Sequence, residues 1–197
     1  TTDGGETWNA INTGNSNAIF TFQFIDDMIG FGGGEYGTYK TIDGGDTWKR
    51  IPVDQSYWEF TDVYGIFFFD ENKGFSVGQR GRIAKTADAG ETWEIYSPLE
   101  NGVKQIQFPS PDIGLALVGN DFYKTTDDGI SWNYQGHYPY ARGFDFVNEN
   151  VGYSFSNGNY GSVYKTTDGG ITWNITNDGS PVNQEGLGAM EFVNENL

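Results

Sequence analysis

Five aspartates recur along the chain at near-equal intervals: Asp3, Asp43, Asp88, Asp127 and Asp168, separated by 40, 45, 39 and 41 residues. Each occupies one pattern, Thr-x-Asp-x-Gly-x-(Thr/Ser)-Trp, as in "TTDGGITW" at 166–173. A carboxylate in such a glycine-rich turn can ligate calcium, act as a general acid or base, or accept backbone hydrogen bonds and hold the turn. Ligation and acid–base work both need groups that converge. Copies repeating once per structural unit are spread along a rim and cannot meet on one substrate, so the aspartates are read as turn-holders. In that reading Gly170 and its equivalents supply a positive φ, and the Thr or Ser opens the following strand. The tryptophans Trp8, Trp48, Trp93, Trp132 and Trp173 bury their rings between neighbouring units.

The remaining chemistry-bearing residues are sparse. Glu59 and Asp62 are the nominal pair for glycoside hydrolysis, but they are neighbours in one segment, whereas that reaction needs two opposed carboxylates. His137 is the one histidine of the chain and has no recognisable partner, so it reads as a loop residue. The asparagine of "NIT" at 174–176 is a glycosylation acceptor only in a host that glycosylates exported proteins.

Bulk composition excludes more than it assigns. The formal charge of −16 repels phosphate backbones and anionic lipid, which argues against nucleic-acid and membrane-surface partners. With no cysteine, disulfides, thiolate catalysis and cysteine-ligated zinc are excluded. No apolar run approaches the roughly 20 residues of a spanning helix, so membrane insertion is not expected, and no metal or cofactor site is expected either. The chain starts inside a copy of the motif, and is read as cut from something longer whose targeting signal lies upstream.

The positioning elements follow from one repeat. "RGFDFV" (142–147), "GYSFS" (152–156), "SVYKT" (162–166) and "TWNIT" (172–176) are strand-length segments separated by turn-forming runs. A second signature, Phe followed six residues later by Gly, recurs at Phe24/Gly30, Phe68/Gly74, Phe108/Gly114 and Phe146/Gly152. Four short strands per repeat of about 40 residues is the spacing of β-propeller blades. The expected fold is all-β: one propeller segment over 1–197, with blades of four antiparallel strands near 20–51, 64–96, 104–135 and 142–176. A lone fourth strand at 6–11 and a lone first strand at 188–197 add two partial blades.

These motifs resemble the Asp-box, or BNR, repeat of sialidases, sortilin-type receptors, xyloglucan-active endoglucanases and photosystem II assembly-factor-like proteins. "FFDENKGFSVGQRGRIAKTADAGETW" (68–93) is most similar to the last group. The resemblance implies a ring of roughly seven blades, of which this chain is a part. It also implies that binding sites lie on the face opposite the Asp-box turns, formed by second-to-third-strand loops and blade connections. There the sequence places Tyr57, Trp58, Tyr138, Tyr140, Arg80 and Arg142 as partner-binding residues, accompanied by Glu35, Tyr36, Arg82, Asn120, Asp121, Asn157, Asn159 and Tyr160. The function expected is a non-catalytic, extracytoplasmic or secreted propeller that binds a protein or glycan through this face. The alternative is a glycoside hydrolase, sialidase-like or xyloglucanase-like, with some catalytic residues in blades outside this sequence. A sialidase needs three converging arginines. The "RIP" at 50–52 follows an Asp box instead of preceding one, which sets Arg50 apart from Arg80 and Arg82.

Overall fold

The computed structural model describes residues 3–8, 17–51, 62–96, 99–138, 141–156 and 162–176. Sixteen strands form four antiparallel sheets of four, each built from consecutive strands. Blade 1 holds β1 (Ile19–Phe24), β2 (Gly30–Gly34), β3 (Gly37–Thr41) and β4 (Lys49–Arg50). Blade 2 holds β5 (Val63–Phe68), β6 (Gly74–Gly78), β7 (Ile83–Thr86) and β8 (Glu94–Tyr96). In blade 3 these are β9 (Val103–Gln107), β10 (Gly114–Val118), β11 (Asp121–Thr125) and β12 (Asn133–His137). Blade 4 consists of β13 (Ala141–Phe146), β14 (Gly152–Ser156), β15 (Val163–Thr166) and β16 (Asn174–Ile175). One turn of 3-10 helix, Gln79–Gly81, is the helical content of the described residues. First strands of successive blades are in contact, β1 with β5, β5 with β9 and β9 with β13, as in a propeller whose first strands line the centre. No helix among the described residues is long and apolar enough to cross a membrane.

The core lies between blades. A four-stranded sheet has two faces, and only a neighbour on each side can remove both from water. The second strands of blades 1, 2 and 3 are accordingly buried along their whole length and are made of small and apolar residues: GFGGG, GFSVG and GLALV. At the first seam, Phe31 of β2 stacks on Phe68 of β5 with ring centroids 3.6 Å apart and planes 6° from parallel. At the second, Phe75 of β6 stacks on Phe108 at 4.3 Å and 12°. At the third, Leu115 and Leu117 of β10 pack with Phe144, Phe146 and Trp173. Burying one such side chain contributes about 1.5–3 kcal/mol, and a favourable ring pair adds about 0.5–1.5 kcal/mol.

The Phe…Gly signature belongs to this packing. A Cβ built on Gly74 would stand 2.3 Å from Cδ1 of Phe68, and Gly114 and Gly152 would meet Phe108 and Phe146 at 2.6 and 2.7 Å. The motif tryptophan closes the other side of the same ring edge-on: Trp93 to Phe68, Trp132 to Phe108 and Trp173 to Phe146, with interplanar angles of 88°, 79° and 84°. Polar bonds fix the register across the first and third seams. The Gln23 amide both donates to the Phe68 carbonyl and accepts from its N–H, each at 2.9 Å. Gln107 does the same for Phe146, at 3.3 and 2.8 Å.

The fourth strand of blade 4 is shorter than the sequence implies. The segment expected at 172–176 contributes only Asn174–Ile175 to the ladder. Thr172 belongs to the turn, because its N–H and hydroxyl both bond to Asp168, at 2.9 and 2.5 Å. Residues 3–8, which include part of the strand expected at 6–11, form a turn of the same kind. The strand expected at 188–197 lies outside the described residues.

Gly74→Ala is expected to destabilise the protein by about 1–3 kcal/mol through overpacking, because Phe68 is clamped between Phe31 and the glycine and cannot yield. Denaturant melts check this; an unchanged midpoint would mean that the ring is free to move.

Candidate functional site

The two ends of each blade are built differently. At one end the motif aspartate organises a turn entirely from within. Asp43 accepts from the Thr47 N–H (2.9 Å), the Thr47 hydroxyl (2.5 Å) and the Thr41 hydroxyl (2.7 Å). Asp88, Asp127 and Asp168 repeat the three bonds, and Asp3 accepts both bonds from Thr7. The first threonine oxygen accepts the amide of the motif glycine, which has φ of 96° at Gly45 and 90° at Gly170. Trp8, Trp93, Trp132 and Trp173 each donate the indole N–H to that glycine's carbonyl at 3.0–3.1 Å. A further amide ties the turn to the first-to-second-strand turn: Gly44 to Met28, Ala89 to Asn72, Asp128 to Asp112 and Gly169 to Asn150. The carboxylates thus spend their bonds within their own turns. The Thr47 hydroxyl holds the Asp43 pKa down to about 2, and the Ser131 hydroxyl does the same for Asp127.

The opposite end is the open mouth of the central channel. Four residues before each strand-ending phenylalanine stand Phe20, Tyr64, Lys104 and Arg142, one per blade at the same register, and all four are exposed. Together with Thr21, Gln105 and Phe155 they line a cavity of about 390 Å³. The Phe20 and Tyr64 rings lie 6.2 Å apart, and Lys104 and Arg142 follow on the next two strands. No carboxylate among the described residues pairs with either cation. Desolvation, and then the Arg142 guanidinium, hold the Lys104 ammonium below its ordinary pKa. Two adjacent cations with no counter-charge, beside two exposed rings, suit an anionic group attached to an apolar one.

The sequence-predicted residues distribute unevenly. Arg142 lines the cavity. Arg80 is exposed in the Gln79–Gly81 turn with φ of 61°, and Arg82 beside it is buried. Tyr138 packs in the third seam, 5.7 Å from Phe122 and 6.1 Å from Trp173. Tyr57, Trp58, Glu59, Tyr140, Asn157, Asn159 and Tyr160 lie outside the described residues. Asp62 accepts from the Gln79 amide at 3.1 Å, and that amide also reaches the Tyr64 hydroxyl at 3.0 Å. His137 lies on a strand and not in a loop, and it has a partner: its Nδ1 is 2.6 Å from Asp121, directly across the β11–β12 ladder. Among the described residues no three His, Asp or Glu side chains are placed to hold a metal ion. Lys104, Phe20 and Tyr64 were missed by sequence reasoning. The signal that finds them is their fixed distance from the strand-ending phenylalanine.

No protein-family model and no curated protein matches the chain. Solved structures do. A structure of YCF48, a photosystem II assembly factor, bound to D1 peptide superposes with a TM-score of 0.71 at 21% identity, over 87% of this chain and 58% of that one. An ancestral GH74 enzyme gives 0.63 at 17% identity, over 80% of this chain and 25% of that one. YCF48 from Cyanidioschyzon merolae gives 0.54 at 24%, over 65% and 39%. This chain therefore spans 25–58% of the length of these structures, and at such identities the likeness is one of fold. It is the β-propeller, a scaffold on which one neighbour holds a peptide and another is an enzyme.

The turn aspartates dictate an acid response. The folded pKa values of Asp43, Asp88, Asp127 and Asp168 lie below the ordinary 3.8, near 2 for Asp43 and Asp127, so the unfolded chain takes up protons first as pH falls. Their stabilisation is complete above about pH 4 and is lost progressively towards pH 2. Thermal melts of the wild type and an Asp43→Asn/Asp127→Asn variant should differ most at pH 5 and draw together as pH falls through about 2. Parallel curves over that window would show that these carboxylates do not carry the acid sensitivity.

Proposed function

We propose that this propeller is a non-catalytic binding module that takes a protein partner at the channel mouth, with Lys104 and Arg142 receiving a carboxylate. The observation that carries the reading is the pair of uncompensated cations on the inner wall of a chain with net charge −16. Ligand charge there removes the mutual repulsion of the cations and restores the solvation that Lys104 has lost, so acidic groups are selected over neutral ones. Phe20 and Tyr64 supply flat apolar surface for the residue next to that carboxylate. The peptide held by YCF48, a neighbour in fold, supports a protein partner over a glycan. Extracytoplasmic placement and contributions from Tyr57, Trp58, Tyr140 and Arg80 belong to the same proposal.

The test is a peptide array on the intact protein, scanned for acidic side chains and free C-termini, followed by titration of the best binder. Lys104→Met and Arg142→Met are each expected to weaken binding by about 1–3 kcal/mol, and added salt weakens the wild type more than either variant. Binding indifferent to both substitutions would overturn the placement. Turnover of a glycoside that vanishes in Asp62→Asn would replace the binding reading with hydrolysis.

A further inference from the structure

We propose that a cleft between the outer strands of blades 1 and 2 is a second binding site, which takes an acidic segment of a partner protein. Its volume is about 490 Å³, and it shares no lining residue with the channel mouth. One wall is built by Lys40 of β3 and by Lys49, Arg50 and Ile51 at the end of blade 1. The other is the motif turn of blade 2, residues 89–91. Ile42, which is 66% exposed, adds apolar surface beside Ile51.

The other repeats show what this cleft lacks. Every third strand carries a lysine at the same register position. Across the ladder Lys85 faces Glu94, Lys124 faces Asn133 and Lys165 faces Asn174, whereas Lys40 faces Lys49. Like charges directly opposite one another are destabilising. Across the seam Lys85 pairs with the Asp128 carboxylate, and Lys124 donates to the Gly169 carbonyl at 3.1 Å. The residue at that turn position in blade 2 is Ala89, which shares the positive φ, 63°, but brings no carboxylate. Among the described residues no carboxylate pairs with Lys40, Lys49 or Arg50, and Glu91 on the facing wall is no exception. Lys40 instead stands over the Phe31 ring, 5.2 Å from its centroid. A carboxylate set between Lys40 and Lys49 removes their repulsion, and an aliphatic side chain beside it covers Ile42 and Ile51. An acidic peptide brings both groups together, whereas a small inorganic anion brings only the charge.

Calorimetric titration with an end-blocked peptide of leucines flanked by glutamates tests this, with the same peptide carrying glutamines as the control. The glutamate peptide is expected to bind and the glutamine peptide is not. Ala89→Asp gives Lys40 the carboxylate that Lys85 finds in Asp128, in the left-handed conformation that Asp128 already adopts with φ of 58°. It should weaken the glutamate peptide roughly tenfold with unchanged circular dichroism, and Lys49→Glu should do the same. Any binding at the channel mouth persists in both variants, so the component lost with them reads the cleft. A glutamate peptide that fails to bind, or whose affinity neither substitution changes, would overturn the proposal. Equal binding of the glutamine peptide, or displacement by inorganic phosphate at equal concentration, would do so as well.

Discussion

A blade of four short strands cannot keep either face dry by itself, and every other feature of this molecule follows from how the faces are covered. The decisive contact is the strand-ending phenylalanine of one blade caught between a glycine and a tryptophan of its own blade and a large apolar residue of the preceding one. Phe31 over Phe68 and Phe75 over Phe108 are near-parallel stacks. Only a residue without a Cβ leaves room for the ring at Gly74, Gly114 and Gly152. The sandwich therefore constrains a phenylalanine, a glycine and a tryptophan in each repeat, and all three are among the positions that recur.

With the rings fixed, the two ends of the blades are free to differ. The aspartate end is closed: its carboxylates, hydroxyls and indole N–H groups are consumed in bonds among themselves. This leaves little for a ligand to displace. The channel mouth is open, and its side chains change from Phe to Tyr to Lys to Arg as the register passes from blade to blade. Packing demands nothing of these positions, so they can be given over to recognition. An acidic protein with two bare cations at its centre attracts a negatively charged group to that place.

The architecture was legible because it is periodic. The recurring aspartates marked the turns, and the Phe…Gly interval marked the first hairpin of each blade. The shortened fourth strand was not legible, because Thr172 has strand-forming chemistry and only its capture by Asp168 removes it from the ladder. Tyr138 likewise gave no sign that its ring would stand over Phe122 and Trp173, because both lie far from it in sequence and Trp173 reaches it only once blades 3 and 4 are packed together. Of the channel-mouth quartet only Arg142 was foreseen, and the other three escaped for a related reason. Phe20, Tyr64, Lys104 and Arg142 share neither residue type nor local motif, and they meet only when four strands far apart in sequence are brought side by side.

The seam stack can be tested alone, by a double-mutant cycle on Phe75 and Phe108 read by denaturant unfolding. Each single change to leucine removes the ring pair while keeping an apolar side chain, and the double variant closes the cycle. If the stack governs blade association, the coupling should be about 0.5–1.5 kcal/mol in favour of the native pair. Additive losses, with no coupling between the two positions, would contradict the account: the rings would then be filling space independently, and the blades would owe their order to something else.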